Sequence, residues 1–221
     1  MLPAELARVV PTDTAAVWAK LVLLLPEPLY LAGGTGLAAH LHHRTSRDLD
    51  FFYHGHAVDL DALELLLGRE LGLAITSRAS GTLNGVISRT KVQFLHADER
   101  QAQRLLDPPT VIGGLRVAGL RDLLAMKLKV IGDRGELRDY FDVMRVEQDG
   151  RHTVAEGLGF FLARFAPASP SDAIGHIVRA LGYLDDVEDD LQLPVGRREI
   201  EAYWRRRQPE ILTEIARGTA T

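Results

Sequence analysis

The chain contains no cysteine, which excludes disulfides and thiolate zinc sites. It also lacks a long apolar run: residues 21–26 and their neighbours fall far short of the roughly 20 residues needed to span a bilayer. No membrane role is expected. The opening stretch MLPAELARVVPTDT has neither the basic segment nor the small-residue cleavage site of a secretory signal, so the expectation is a cytoplasmic protein. Positive charge is not in excess either. The formal net charge is −4, whereas indiscriminate nucleic-acid coating needs many lysines and arginines to neutralise phosphates. Also missing are G-x-S-x-G, G-x-x-x-x-G-K-[ST] and H-E-x-x-H, which removes the common hydrolase, P-loop and zincin readings. What is present is apolar material. With 46% of 221 residues hydrophobic and 25% charged, a fair-sized core can be buried.

Hydrophobic periodicity predicts a helix over residues 12–25, closed by Pro26 and Pro28, and then a short buried strand in LYLAGG. A helix is expected from Thr35 to about His43, a strand in DLDFFYH, and a helix over 63–67 behind a capping box of Asp61 and Glu64. Further strands are expected at 73–78, 83–89 and 91–96, with turns at Ser80-Gly81 and Arg89-Thr90, and a short one in GLRV. Beyond Gly119 the pattern is helical, with breaks at Gly132, Gly135, Gly150 and PASPSD. The expected fold class is thus α/β (α+β): an α/β domain over 1–118, then a C-terminal helical domain over 119–221.

Chemistry concentrates in GGTGLAAHLHHRTSRDLDFF, residues 33–52. On a strand successive side chains alternate, so Asp48 and Asp50 share one face while Leu49, Phe51 and Tyr53 take the other. Two adjacent carboxylates repel unless a cation lies between them. Mg²⁺, or Mn²⁺ in its place, suits hard oxygen donors and binds through one or two carboxylates plus substrate phosphates. Gly33 and Gly34 at a strand-to-helix turn allow close approach of backbone to phosphate, and Thr35 adds a hydroxyl at a helix N-terminus. In LRDLLAMKLKVIGDRGELRDYFD, Leu120, Leu124 and Ile131 form one stripe that includes Lys127, while Lys129 falls opposite. Lys127 should therefore point inward, either snorkelling or serving a buried anion. Arg138 and Asp142, four apart, would by themselves make an exposed ion pair.

The order strand, Gly-Gly-Thr, helix, D-x-D strand resembles the nucleotidyltransferase superfamily with its polymerase-β-like mixed sheet flanked by helices. With K-L-x and R-D-x-x-D added, and YLDDVEDD further on, the chain is similar to the AbiEii toxins of type IV toxin–antitoxin systems over most of residues 29–190. That resemblance implies an NTP-using, metal-dependent enzyme. Asp48 and Asp50 would hold the metal, and Gly33, Gly34, Thr35, Lys127 and Arg138 the nucleotide. Asp142 would take the remaining metal or base position, oriented by Arg138, so that the helical domain completes the site. Ser46 matches a hydroxyl position that is phosphorylated in the family to silence the enzyme, an assignment shared with its neighbour Thr45. A tRNA 3′ end is the implied acceptor and a cognate antitoxin the implied partner.

One departure stands out. The strand TKVQFLHA holds Gln93 where many polymerase-β-like enzymes carry a third carboxylate, and a neutral amide binds Mg²⁺ more weakly. This keeps two alternatives open: a nucleotidyltransferase fold that binds without turnover, and transfer to a small molecule such as an aminoglycoside or to a protein hydroxyl. The histidines His40, His42, His43, His54 and His56 follow no ligand spacing, and Tyr203, Trp204 and Arg205 to Arg207 fit a packing anchor better than an RNA platform.

Overall fold

The computed structural model describes residues 2–55, 58–97 and 104–218; His56 lies outside them. The chain divides into two units, Met1–Leu120 and Arg121–Thr221. In the first, a short helix α1 (Leu6–Val9) precedes α2 (Thr12–Leu24), whose Val17, Trp18 and Leu21 point inward. The seven-stranded mixed sheet has the order β3-β4-β5-β2-β1-β7-β6. Its strands are β1 (Tyr30–Ala32), β2 (Leu49–His54), β3 (Ala74–Ala79), β4 (Thr82–Ile87), β5 (Thr90–Ala97), β6 (Thr110–Ile112) and β7 (Leu115–Val117). The central strand β2 runs antiparallel to β1 and parallel to β5, and β1 runs parallel to β7.

Alternation on β2 decides which side is core. Leu49, Phe51 and Tyr53 are buried while Asp50, Phe52 and His54 are half-buried. Phe51 stacks on Phe94 of β5 at 5.5 Å between centroids. Both rings join Leu31, Leu83 and Val92 from the sheet and Trp18 and Leu21 from α2 in one core, which Leu63 and Leu67 of α4 (Leu60–Leu71) complete. The Trp18 indole N–H donates to the Gly113 carbonyl at 2.9 Å, tying α2 to the β6–β7 turn. That hairpin turns through Gly113 and Gly114, both at positive φ.

Several boundaries differ from the sequence expectation. The cap of α4 is Asp59, whose carboxylate accepts from the Asp61 and Ala62 amides, so the helix starts before the expected Asp61 box. Glu64 pairs instead with Arg78 of β3. The strand β6 was not expected at all.

The second unit is helical, with α5 (Leu120–Arg134), α6 (Leu137–Asp149), α7 (Val154–Phe165), α8 (Pro170–Leu181) and α9 (Arg197–Gly218). Gly132 does not break α5. A Cβ there would come within 3.1 Å of Ile177, so the glycine admits α8 at close range. Capping boxes start α6 (Glu136 with Asp139) and α7 (Thr153 with Glu156). Trp204 of α9 is fully buried and its indole donates to the Tyr140 carbonyl at 3.3 Å, a packing anchor as expected. Arg164 and Asp122 form a second, fully buried ion pair between α7 and α5.

Candidate active site

The D-x-D strand is presented by a loop held at several points. At the end of α3 (Gly33–Leu41), His42 takes a left-handed conformation (φ 51°) and turns the chain back toward the sheet. The Ser46 amide then donates to the Val9 carbonyl at 2.9 Å, and the Thr14 hydroxyl donates to the Arg47 carbonyl at 3.2 Å. Thr35, fully buried, donates its hydroxyl to the Asp48 carbonyl, and its oxygen lies 2.7 Å from the Ser46 hydroxyl. The expectation that the Thr35 hydroxyl seats phosphate is therefore corrected: it fixes the backbone that carries Asp48. What α3 offers an anion is its first N–H groups, which have no intrahelical acceptor.

Asp50 opens out at this point. It pairs in register with Ala32 at the end of β1 and with Gln93 of β5. Gly33, the next residue after Ala32, has φ +62°, and a Cβ there would lie 2.4 Å from Asp50 Oδ2. Only glycine both adopts this turn without strain and leaves room for that carboxylate. Gly34 is likewise covered, by the Arg44 guanidinium, whose Nη2 would be 2.6 Å from an added Cβ. The start of α3 thus lies against the Asp50 carboxylate and the guanidinium of Arg44, an arginine that the motif reading left aside. Ser46 is only 9% exposed, and its hydroxyl is engaged with that of Thr35.

The donor chemistry fits a hard cation. Two half-buried carboxylates stand at alternate positions, with a carboxamide at the register neighbour of Asp50 and a residue with no side chain against it. Among the described residues no group of three or more His, Cys, Asp or Glu is placed to hold a metal, so further ligands would be substrate phosphate and water. Gln93 Nε2 donates to Asn84 Oδ1 at 2.8 Å, and Asn84 Nδ2 donates to Ser77 Oγ at 2.9 Å. Sequence reading missed Asn84 and Ser77, although strand alternation puts Asn84 opposite the core residue Leu83.

In the second unit Lys127 points inward as expected, 8% exposed, while Lys129 is half-buried and pairs with Asp133. The Lys127 ammonium is 2.7 Å from Asp142 and 2.6 Å from Asp139. Asp142 is fully buried and Asp139 nearly so. The expected partnership of Arg138 with Asp142 is corrected: Arg138 reaches Glu136 at 2.6 Å on the surface. Lys127, one helix away, faces the buried side of α6 and pairs with Asp142 there. Asp139, which the sequence reading did not single out, also caps α6 by accepting from the Glu136 amide at 2.9 Å.

The histidines serve local roles. His40 bonds the Ala118 carbonyl at 2.8 Å and His54 the Tyr30 hydroxyl at 3.2 Å. Tyr203 and Arg207 both bond Glu147 of α6.

Residues 22–91 match the family model described as the AbiEii nucleotidyl transferase toxin of type IV toxin–antitoxin systems. An uncharacterized protein of Aquifex aeolicus is 25% identical over 178 residues, spanning 79% of this chain and 80% of its own. A putative nucleotidyltransferase from Helicobacter pylori superposes with a TM-score of 0.57 at 16% identity, over 94% of this chain and 98% of its own. JHP933 from Helicobacter pylori gives 0.51 at 17% identity, over 100% of this chain and 97% of its own. At such identities the likeness to these structures is one of fold. Residues 22–91 contain the glycine turn, α3 and both aspartates of the D-x-D motif, so the likeness to the AbiEii nucleotidyl transferase model falls on the segment that carries the candidate site.

Proposed function

We propose that the protein transfers a nucleotidyl group from an NTP to an RNA hydroxyl, with a tRNA 3′ end as acceptor. The observation that carries the transfer chemistry is the juxtaposition of Asp50 with Gly33. A carboxylate at the strand edge stands beside a helix N-terminus kept open by the absence of a Cβ. Phosphate would lie against the first turn of α3, where Arg44 adds positive charge and Gly33 and Gly34 admit close approach. Asp48 and Asp50 would hold Mg²⁺ or Mn²⁺, which would offset the negative charge developing on the leaving group. In the reaction the acceptor oxygen bonds to the α-phosphorus and the bond to the α–β bridging oxygen breaks. Pyrophosphate leaves with the electron pair, and the hydroxyl proton passes to water.

The likeness to a type IV toxin–antitoxin family model supports an antitoxin partner, and the RNA acceptor and a cytoplasmic setting are part of the same proposal. No helix among the described residues is long and apolar enough to cross a membrane. The reading also keeps Lys127 and Asp142 as residues needed for transfer. Incubation with Mg²⁺, each labelled NTP in turn and total tRNA tests it, beside an Asp48→Ala control. Label entering tRNA with the wild type alone supports the reading, whereas equal labelling by Asp48→Ala removes the carboxylate assignment. A second reading, nucleotide binding without turnover, is favoured by one observation, the neutral Gln93 in register with Asp50. NTP binding without label transfer to any acceptor would select it.

A further inference from the structure

We propose that Gln93 supplies an amide oxygen to the cation held by Asp50, and that Asn84, as the acceptor for Gln93 Nε2, holds the amide in the orientation that does so. The inference rests on the nucleotidyl-transfer reading of Asp48 and Asp50. Four residues stand level across four adjacent strands. Ser77 of β3 is in register with Asn84 of β4, Asn84 with Gln93 of β5, and Gln93 with Asp50 of β2. Register partners share a face, so these side chains form one polar row on the side opposite Leu83, Phe94 and Phe51.

The row has a direction. Asn84 donates to Ser77 Oγ at 2.9 Å and Gln93 donates to Asn84 Oδ1 at 2.8 Å, so both NH₂ groups point toward the β3 edge. With its NH₂ engaged by Asn84 on the β4 side, Gln93 would offer Oε1 to a cation at its register partner on β2, Asp50. Neighbouring strands are about 4.8 Å apart, and cis ligands of an octahedral Mg²⁺ with bonds near 2.1 Å lie about 3 Å apart. Small side-chain tilts bring a carboxylate and an amide oxygen from adjacent strands onto one ion. Reversed, the row would present the Gln93 NH₂ to Asp50, a donor that competes with the cation for the same carboxylate. The Ser77 hydroxyl can donate or accept, so it does not choose between the two directions. A cation at Asp50 does. Asn84 fixes the choice by remaining available as the acceptor for Gln93 Nε2. The strand position that lacks a third carboxylate thus still delivers an oxygen, at one unit less negative charge.

The test is Mn²⁺ binding to the full chain without nucleotide, read from the paramagnetic resonance signal of free Mn²⁺, with melting temperature measured alongside. Asp50→Ala, Gln93→Leu, Gln93→Glu and Asn84→Leu are compared with wild type. Gln93→Leu and Asn84→Leu are expected to weaken Mn²⁺ binding about tenfold, the scale on which ligand-orienting partners act, and Gln93→Glu to tighten it. Wild-type affinity in Gln93→Leu with a loss in Asp50→Ala would overturn the role of Gln93 while leaving the cation site standing. Wild-type affinity in Asp50→Ala would overturn the parent reading as well. A loss in Gln93→Leu with none in Asn84→Leu would overturn the orienting role. If the leucine variants fail to fold, Gln93→Glu decides, since weaker binding there contradicts an oxygen ligand at this position.

Discussion

Replacing Gly33 by alanine should damage the proposed site through geometry alone, because the new methyl meets the Asp50 carboxylate without removing a charge. Two costs arise. At φ +62° an L-residue sits in the left-handed region, worth about 1–2 kcal/mol. The Cβ also lands 2.4 Å from Asp50 Oδ2 and 3.2 Å from its Cγ, so the carboxylate must swing aside by about 1 Å to reach ordinary contact distance. For a chain of this size, about 2–4 °C of melting temperature accompanies each kcal/mol, so the backbone cost alone should make Gly33→Ala melt about 2–8 °C lower. Misplacing a reacting group by about 1 Å can lower turnover on the order of 100-fold. The assay is a double-mutant cycle with Asp50→Ala, read by thermal melting, alongside nucleotidyl transfer by Gly33→Ala alone. In the Asp50→Ala background the carboxylate is gone and Gly33→Ala should cost only the backbone share. Gly34→Ala is the control: its φ is not positive and the contact is the flexible end of Arg44, so stability should hold. The reasoning is refuted if Gly33→Ala transfers label at the wild-type rate, or if its stability cost is the same with and without the Asp50 carboxylate.

Other expectations follow from the buried polar groups. Lys127→Met leaves Asp139 and Asp142 buried without their cation and should cost about 3–5 kcal/mol in urea unfolding, with much of it restored by adding Asp142→Asn. Thr35→Val removes the tie to the Asp48 carbonyl and the Ser46 hydroxyl; a loss of about 1–3 kcal/mol is expected, together with slower transfer as the D-x-D backbone loosens. Burial raises the Glu147 carboxyl, but hydrogen bonds from Arg207, Tyr203 and the Val154 amide outweigh it and hold the group below its ordinary range. A depressed acid contributes stability above its unfolded pKa, about 4.3, and loses it as pH falls through the folded value. The wild-type melting temperature should therefore fall more steeply than that of Glu147→Gln as pH drops below about 5.

Alternation made the face of Asp48 and Asp50 legible in the sequence, and helical spacing did the same for the inward turn of Lys127. Partners were not legible. Spacing along α6 offered Arg138 to Asp142, yet the packing of α5 brings Lys127 to Asp142 and leaves Arg138 on Glu136. Burial of the Thr35 hydroxyl depends on residues eleven and thirteen positions away across a loop, which no local pattern encodes. The start of α4 went astray because Asp59 and Asp61 offer the same chemistry, and the backbone at Asp59, extended with ψ 105°, settles which one caps. Gly132 reads as a breaker, but its role is a close approach of α8. The β6–β7 hairpin was within reach: VIGGLRV places two glycines between short apolar runs, a hairpin signal.

The most direct measurement supplies the same NTP labelled either at the α- or at the γ-phosphate to wild type, Asp48→Ala and Asp50→Ala, with Mg²⁺ and total tRNA. Nucleotidyl transfer at the D-x-D strand predicts that α-label enters RNA and γ-label leaves as pyrophosphate with the wild type, and that neither variant transfers label. Entry of γ-label into RNA, or undiminished α-label transfer by both aspartate variants, would contradict the account.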